Sequence, residues 1–218
     1  MCLGCLLSVD AQQNFKNEVD GIQKKYESKW NASQPTIVFT GSSSIRMWKD
    51  VQQMFPGHQI INTGFGGSQT SDLLYYVYDL IYRYHPKKVF IYEGDNDIAA
   101  GKSTGTIMTD MEELVRRINK FDPSLEIVLI SPKPSIARWD LRNKYQRLNK
   151  KLKFWANDLP GVQYVDMWDV MVAQNKLNRD LFLEDGLHMN AKGYALWYNA
   201  LKSYVNWSVI EIQNYGLS

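Results

Sequence analysis

Three observations predict a three-layer α/β/α domain for this chain. Short apolar, β-branched runs alternate with stretches of helical period. The runs lack the polar alternation of a one-sided sheet, as expected of parallel strands covered on both faces. The length of 218 residues, with 44% hydrophobic and 22% charged residues, suits one domain with a substantial core. Strands separated by helices imply right-handed crossovers, so the sheet is expected to be mostly parallel.

In chain order, Phe15, Val19, Ile22 and Tyr26 recur every three or four residues and predict an amphipathic helix from about Asp10 to Trp30. A turn at Pro35 leads into Thr36-Ile37-Val38-Phe39-Thr40, a first strand closed by Gly41. Gln59-Ile60-Ile61-Asn62 is the second strand, and a helical pattern follows from Ser71 to Tyr84. Lys88-Val89-Phe90-Ile91-Tyr92 is the third, followed by a helix from Thr106 to Phe121. Ile127-Val128-Leu129-Ile130 is the fourth, with a long helix from Trp139 to Asn157 behind it. Val162-Gln163-Tyr164-Val165 is the fifth, and a last helix runs from Ala191 to about Tyr204. Residues after Trp207 read as a loosely attached tail.

The net charge of +2 is near balance and the Lys and Arg residues are scattered, which argues against a nucleic-acid partner. Both cysteines lie in the opening run Met1-Cys2-Leu3-Gly4-Cys5-Leu6-Leu7, so the body of the domain has none to form a disulfide. No strand leads into this Cys-x-x-Cys pair and no second ligand pair follows it, which fits neither a redox motif nor a zinc site. The apolar run and the following Ser8-Val9-Asp10-Ala11-Gln12 resemble the end of a secretory signal, and Leu3-Gly4-Cys5 faintly resembles a lipoprotein cleavage box. Residues 1–12 are thus expected to be a leader remnant or a disordered N-terminus, with 13–218 forming one domain. Export to a periplasmic, extracellular or lipid-tethered location is the expectation, with the cytoplasm as the alternative. No later run approaches the roughly 20 apolar residues of a transmembrane segment.

In an open α/β sheet, ligands bind outside the carboxyl ends of the strands, and here those ends carry polar chemistry. After the first strand comes Gly41-Ser42-Ser43-Ser44-Ile45-Arg46-Met47-Trp48, where a serine on a sharp turn meets the start of a helix. The plain alternative is a helix-capping serine. After the second comes Asn62-Thr63-Gly64-Phe65-Gly66-Gly67-Ser68, a glycine-rich turn without the final glycine of a dinucleotide fingerprint or a Walker-type lysine. After the third comes Glu93-Gly94-Asp95-Asn96-Asp97, an amide among acids that lacks EF-hand spacing. Near the end, Asp185-Gly186-Leu187-His188 sets a carboxylate three residues before an imidazole, a spacing that can orient a base.

Together these four blocks resemble the SGNH hydrolases, also called the GDSL esterase/lipase family, in the family's order and over roughly Thr36 to Trp197. The resemblance implies a flavodoxin-like five-stranded sheet. It implies Ser43 as nucleophile, Asp185 and His188 as its acid–base partners, and an oxyanion hole formed by Ser43, Gly67 and Asn96. Gly-Asp-Ser-Leu is replaced here by Gly41-Ser42-Ser43-Ser44, which loses an acid and leaves three adjacent serines. An α/β-hydrolase elbow is disfavoured because Ile45 stands where its second glycine belongs.

The chemistry expected is hydrolysis of carboxylic esters through an acyl-enzyme, with no cofactor and no metal. Short acyl groups such as acetyl are expected, on a small-molecule or carbohydrate ester. The segment Ser131-Pro132-Lys133-Pro134-Ser135-Ile136-Ala137-Arg138-Trp139 is expected to overhang the crevice, with Trp139 or Trp48 stacking on a sugar. A catalytically silent glycan binder on the same fold, a lysophospholipase-like or lipase-like acylhydrolase and a flavodoxin-like nucleotide binder are the alternatives; the sequence leaves the oligomeric state open.

Overall fold

A computed structural model of the chain describes residues 4–173 and 176–206. Helix α1 (Gly4–Tyr26) leads to strand β1 (Thr36–Gly41), and the short helices α2 (Ser43–Arg46) and α3 (Val51–Met54) precede β2 (Gln59–Asn62). Next come α4 (Thr70–Tyr75), α5 (Val77–Leu80), a 3-10 turn (Tyr82–Tyr84), β3 (Lys88–Tyr92), α6 (Asp95–Ala99), α7 (Thr104–Phe121) and β4 (Glu126–Ile130). A second 3-10 turn (Trp139–Leu141) opens into α8 (Arg142–Asn157), followed by β5 (Val162–Val165) and α9 (Met167–Met171). A small hairpin of β6 (Val172–Ala173) and β7 (Lys176–Leu177), a third 3-10 turn (Arg179–Leu181) and α10 (Ala191–Val205) complete the domain.

The five predicted strands form one parallel sheet in the order β2-β1-β3-β4-β5, the flavodoxin-like arrangement. Because side chains alternate along a strand, each strand feeds two cores. Val38, Val89, Ile91, Ile127 and Leu129 pack on one face with residues of α7 and α8, such as Leu114, Ile118 and Leu148. Ile37, Phe39, Phe90, Val128 and Ile130 pack on the other with Trp48, Trp197 and Leu201. Phe39 and Phe90 are register partners, and their rings stack at 4.2 Å. Lys88 is buried at the start of β3, where its Nζ donates to the carbonyls of Tyr204 and Asn206 at 2.9 and 2.7 Å. A cation at the carbonyl end of α10 stabilises that end and ties the last helix to the sheet.

The helices depart from expectation in specific places. The first spans Gly4–Tyr26, not Asp10 to Trp30, because the backbone N–H groups of Lys29 and Trp30 both turn back onto the Tyr26 carbonyl. The single helix expected from Ser71 to Tyr84 is broken at Tyr76 (φ −93, ψ 18) into α4, α5 and a 3-10 turn. Across the break Leu73, Val77, Leu80, Ile81 and Tyr84 keep the spacing of one apolar stripe, and all five reach the core. Trp139 lies in a 3-10 turn and α8 begins only at Arg142. Of the leader expected at 1–12, the first three residues lie outside the described residues, as does the expected tail beyond Asn206. Among the described residues, no helix is long and apolar enough to cross a membrane.

At the end of β1, Gly41 has φ +122, and a Cβ built on it falls 2.0 Å from the Tyr92 carbonyl oxygen of β3. Its neighbours are pinned there: Ser42 N–H donates to Tyr92 O at 3.1 Å and Phe65 N–H to Gly41 O at 2.9 Å. Gly41→Ala combines backbone strain with overlap against backbone atoms that cannot step aside. The expected loss is at least about 2 kcal/mol in urea unfolding. A variant that unfolds at the parental midpoint contradicts this packing.

Candidate active site

The pinned turn after β1 decides which of three adjacent serines is available. Ser42 and Ser44 are buried, whereas Ser43 is only partly covered. Two distant elements hold the turn: Tyr194 of α10 donates to Ser44 O at 2.9 Å, and Asn62 Nδ2 of β2 donates to Ile45 O at 2.7 Å. The Ser43 hydroxyl projects to His188, with Oγ 2.9 Å from Nε2.

The imidazole is oriented by its own turn. Asp185 Oδ1 accepts the backbone N–H groups of Leu187 and His188, both at 2.9 Å, and Oδ2 lies 2.6 Å from His188 Nδ1. An ionised carboxylate only accepts, so Nδ1 carries the proton and Nε2 is left to accept from Ser43. Partial burial pushes the Asp185 carboxyl upward. The imidazole and the two backbone N–H groups outweigh it and bring the group down to about 2. The turn is fastened by Leu183 N–H on His188 O at 2.8 Å, by Ala137 N–H on Gly186 O at 3.0 Å and by Lys133 Nζ on Leu187 O at 2.6 Å.

Gly67 and Asn96 come from the ends of β2 and β3 respectively. Gly67 has φ +78, and a Cβ there meets nothing within 4 Å, so its edge of the site is open. Asn96 is linked to that loop by Nδ2, which donates to Ser68 O at 2.9 Å. Ser68 is buried and its hydroxyl lies 2.6 Å from Glu93 Oε1 and 3.3 Å from Phe65 O. One hydroxyl proton cannot serve both acceptors. A protonated Glu93 that donates to Ser68 Oγ satisfies the pair, because the serine proton then goes to Phe65 O. Burial, reinforced by the nearby Asp97 charge, pushes the Glu93 carboxyl well above its usual range.

The acids around Asn96 are thus directed to separate partners. Asp97 accepts from Thr70 N–H at 3.0 Å and pairs with Lys102 at 2.9 Å, which fixes the start of α4. Asp95 pairs with Arg138 at 2.5 Å and accepts from Tyr145 OH and Tyr92 OH. Among the described residues, no three His, Cys, Asp or Glu side chains converge as metal ligands.

The two tryptophans considered for substrate stacking differ. Trp48 is fully buried among Phe39, Phe55, Tyr194 and Trp197, so that expectation is corrected: its indole fills the core behind the serine turn. Trp139 is partly exposed and stacks on Trp168. With Ile136, Lys176, Leu177 and Arg179 it lines a cleft of about 490 Å³. Ile136 packs against Gly186, which sets this cleft beside the Asp185–His188 turn. Lys133, Arg138, Ser68 and Glu93 lie in the strand-end segments read from the sequence but were given no role there. The visible signal for the two cations is that a short loop after β4 carries them opposite the acids that follow β3.

The raised Glu93 carboxyl has a consequence for stability. Between about pH 4.5, where the group ionises in the unfolded chain, and its higher value in the fold, only the native state keeps the proton. Stability contributed by Glu93 is therefore lost as pH rises through that window. Thermal melts should show the stability of Glu93→Gln gaining on the parent above pH 4.5, then holding a constant lead. A difference independent of pH removes the protonated carboxyl from the account.

A profile of the GDSL-like Lipase/Acylhydrolase family matches residues 30–196 of the chain. Platelet-activating factor acetylhydrolase IB subunit alpha1 of Pongo abelii is 23% identical over 175 residues, 78% of this chain and 75% of that protein. A protein from Streptococcus pneumonia named for platelet activating factor superposes with a TM-score of 0.77 at 25% identity, covering 92% of this chain and 99% of that one. A GDSL-like lipase from Bacteroides thetaiotaomicron VPI-5482 shares the fold, with a TM-score of 0.72 at 19% identity over 88% of this chain and 96% of its own. With a family match over most of its length on this fold, the chain belongs to the GDSL-like lipase/acylhydrolase family of ester-bond hydrolases.

Proposed function

We propose that the protein is a serine esterase that cleaves short-chain carboxylic esters, acetyl esters foremost, through an acyl-enzyme on Ser43. The observation that carries this is the relay of 2.9 Å from Ser43 Oγ to His188 Nε2 and 2.6 Å from His188 Nδ1 to Asp185. A serine hydroxyl is a weak nucleophile until a neighbouring base accepts its proton as it attacks. In the first half-reaction Ser43 Oγ bonds to the ester carbonyl carbon, its proton passes to His188, and the carbonyl oxygen becomes an oxyanion. The N–H groups of Ser43 and Gly67 and one Nδ2 hydrogen of Asn96 are the donors for that charge. His188 then protonates the leaving alkoxide as the tetrahedral carbon collapses. Water repeats the sequence on the acyl-enzyme and releases the acid.

Two features favour a small acyl group and a polar alcohol. The wall beside Asn96 is the guanidinium of Arg138, whose side chain is 18% exposed and gives a long aliphatic chain no apolar surface. The cleft lined by Trp139, Lys176 and Arg179 has room for a carbohydrate or other polar alcohol. The acetylhydrolase name of the mammalian relative agrees with a short acyl group.

The test is a panel of p-nitrophenyl acetate, butyrate and longer esters. Activity should fall with chain length, Ser43→Ala should lose at least about 10⁴-fold in kcat, and Asn96→Ala about 10²–10³-fold while staying folded. Chelator should leave turnover unchanged, because every step uses protein groups. Preference for the longest ester overturns the short-acyl assignment, and a fully active Ser43→Ala overturns the nucleophile.

A further inference from the structure

The carboxamide of Asn96 is gripped at both ends by groups of opposite hydrogen-bonding character. At one end the carbonyl of Ser68 can only accept, and it takes one Nδ2 hydrogen at 2.9 Å. At the other end Arg138 Nη2 can only donate, and it meets Oδ1 at 3.0 Å. An asparagine flipped by 180° would set its oxygen against the Ser68 carbonyl and its NH₂ against a guanidinium, so only one orientation is allowed. In that orientation the second Nδ2 hydrogen is left for a ligand.

Arg138 is itself immobilised. Its Nη1 pairs with the buried carboxylate of Asp95 at 2.5 Å, and its backbone N–H donates to Ser135 Oγ at 3.2 Å. Asp95 in turn accepts from Tyr145 OH and, at 2.9 Å, from Tyr92 OH. The chain Tyr145/Tyr92 to Asp95 to Arg138 to Asn96 runs from the core of the sheet to the rim of the site. No motif contains Arg138; it reaches Asn96 from the loop after β4, 42 residues away in sequence.

We infer that Arg138, clamped by Asp95, is a positioning residue that fixes the Asn96 carboxamide as an oxyanion donor and polarises it through Oδ1. The inference rests on the role given to Asn96 in the proposed function. A guanidinium on the carbonyl oxygen draws electron density from the amide, which strengthens the remaining N–H as a donor to developing negative charge. Such an effect belongs to the transition state, so it should be felt in kcat with little change in KM.

The experiment is a double-mutant cycle on the full chain with p-nitrophenyl acetate, using Asn96→Ala, Arg138→Lys, Arg138→Gln and each Arg138 variant combined with Asn96→Ala. Arg138→Lys keeps a cation for Asp95 but has no fork to reach both Asp95 and Asn96; Arg138→Gln removes the charge and is too short to span the two. Each Arg138 variant, assayed below its melting temperature, should lose on the order of 10-fold or more in kcat with KM within about threefold. In the Asn96→Ala background that loss should vanish, leaving the double variants within about twofold of Asn96→Ala. If one Arg138 variant does not fold, the other decides. Full kcat in the folded Arg138 variants, a loss confined to KM, or an undiminished loss in the Asn96→Ala background overturns the inference. Full activity of Asn96→Ala alone is a separate outcome: it removes the asparagine from the oxyanion hole, and the inference falls with it.

Discussion

The site depends on the absence of a side chain at Gly41. In the order β2-β1-β3-β4-β5, β1 is where the connections reverse direction, so the loops after β1, β2 and β3 meet over its carboxyl end. Gly41 lies against the Tyr92 carbonyl, receives the Phe65 N–H and is followed by Ser42, whose N–H bonds across to β3. That close approach draws the serine turn, the glycine-rich loop and the Asn96 turn together. His188 is delivered from the far end of the chain by a turn that Lys133 and Ala137 hold from the loop after β4. Four segments distant in sequence thus share one polar rim above a sheet buried on both faces.

Beneath the rim, the charged groups are organised so that each acid has a distinct task. Burial would push the Asp95 carboxyl upward, yet Lys133, Arg138 and the Tyr145 hydroxyl outweigh it and hold the group below its usual range. It stays charged and can anchor a guanidinium. Glu93, two residues away, has the Asp97 charge near it, and its protonated form satisfies the hydroxyl of Ser68. Neighbouring carboxyls in one turn therefore differ in charge because their partners differ, and both brace the same asparagine. Asp95 acts through Arg138 on Oδ1, and Glu93 acts through Ser68 on the Nδ2 side.

Much of this was legible in the sequence, for physical reasons that can be named. Parallel strands buried on both faces leave apolar runs such as Thr36-Ile37-Val38-Phe39-Thr40, and all five were visible. The Asp185-x-x-His188 pair and the Gly41–Ser44 turn are local in sequence, so their spacing carries their geometry. Among three adjacent serines the family resemblance pointed to Ser43, and it is Ser43 that faces His188 while Ser42 and Ser44 are buried. Trp48 and Trp139 look alike in sequence because the packing that buries one and exposes part of the other comes from α10 and α9, far along the chain. The break at Tyr76 and the reach of Arg138 to Asn96 are likewise tertiary effects, beyond any local period or motif.

Mass spectrometry after treatment with a fluorophosphonate tests the central claim most directly, since the reagent phosphonylates only a serine whose proton a base can take. One adduct per chain is predicted, mapped by peptide fragmentation to Ser43 and suppressed in His188→Ala. An adduct on Ser42 or Ser44, or labelling that persists at full rate without the imidazole, contradicts the account.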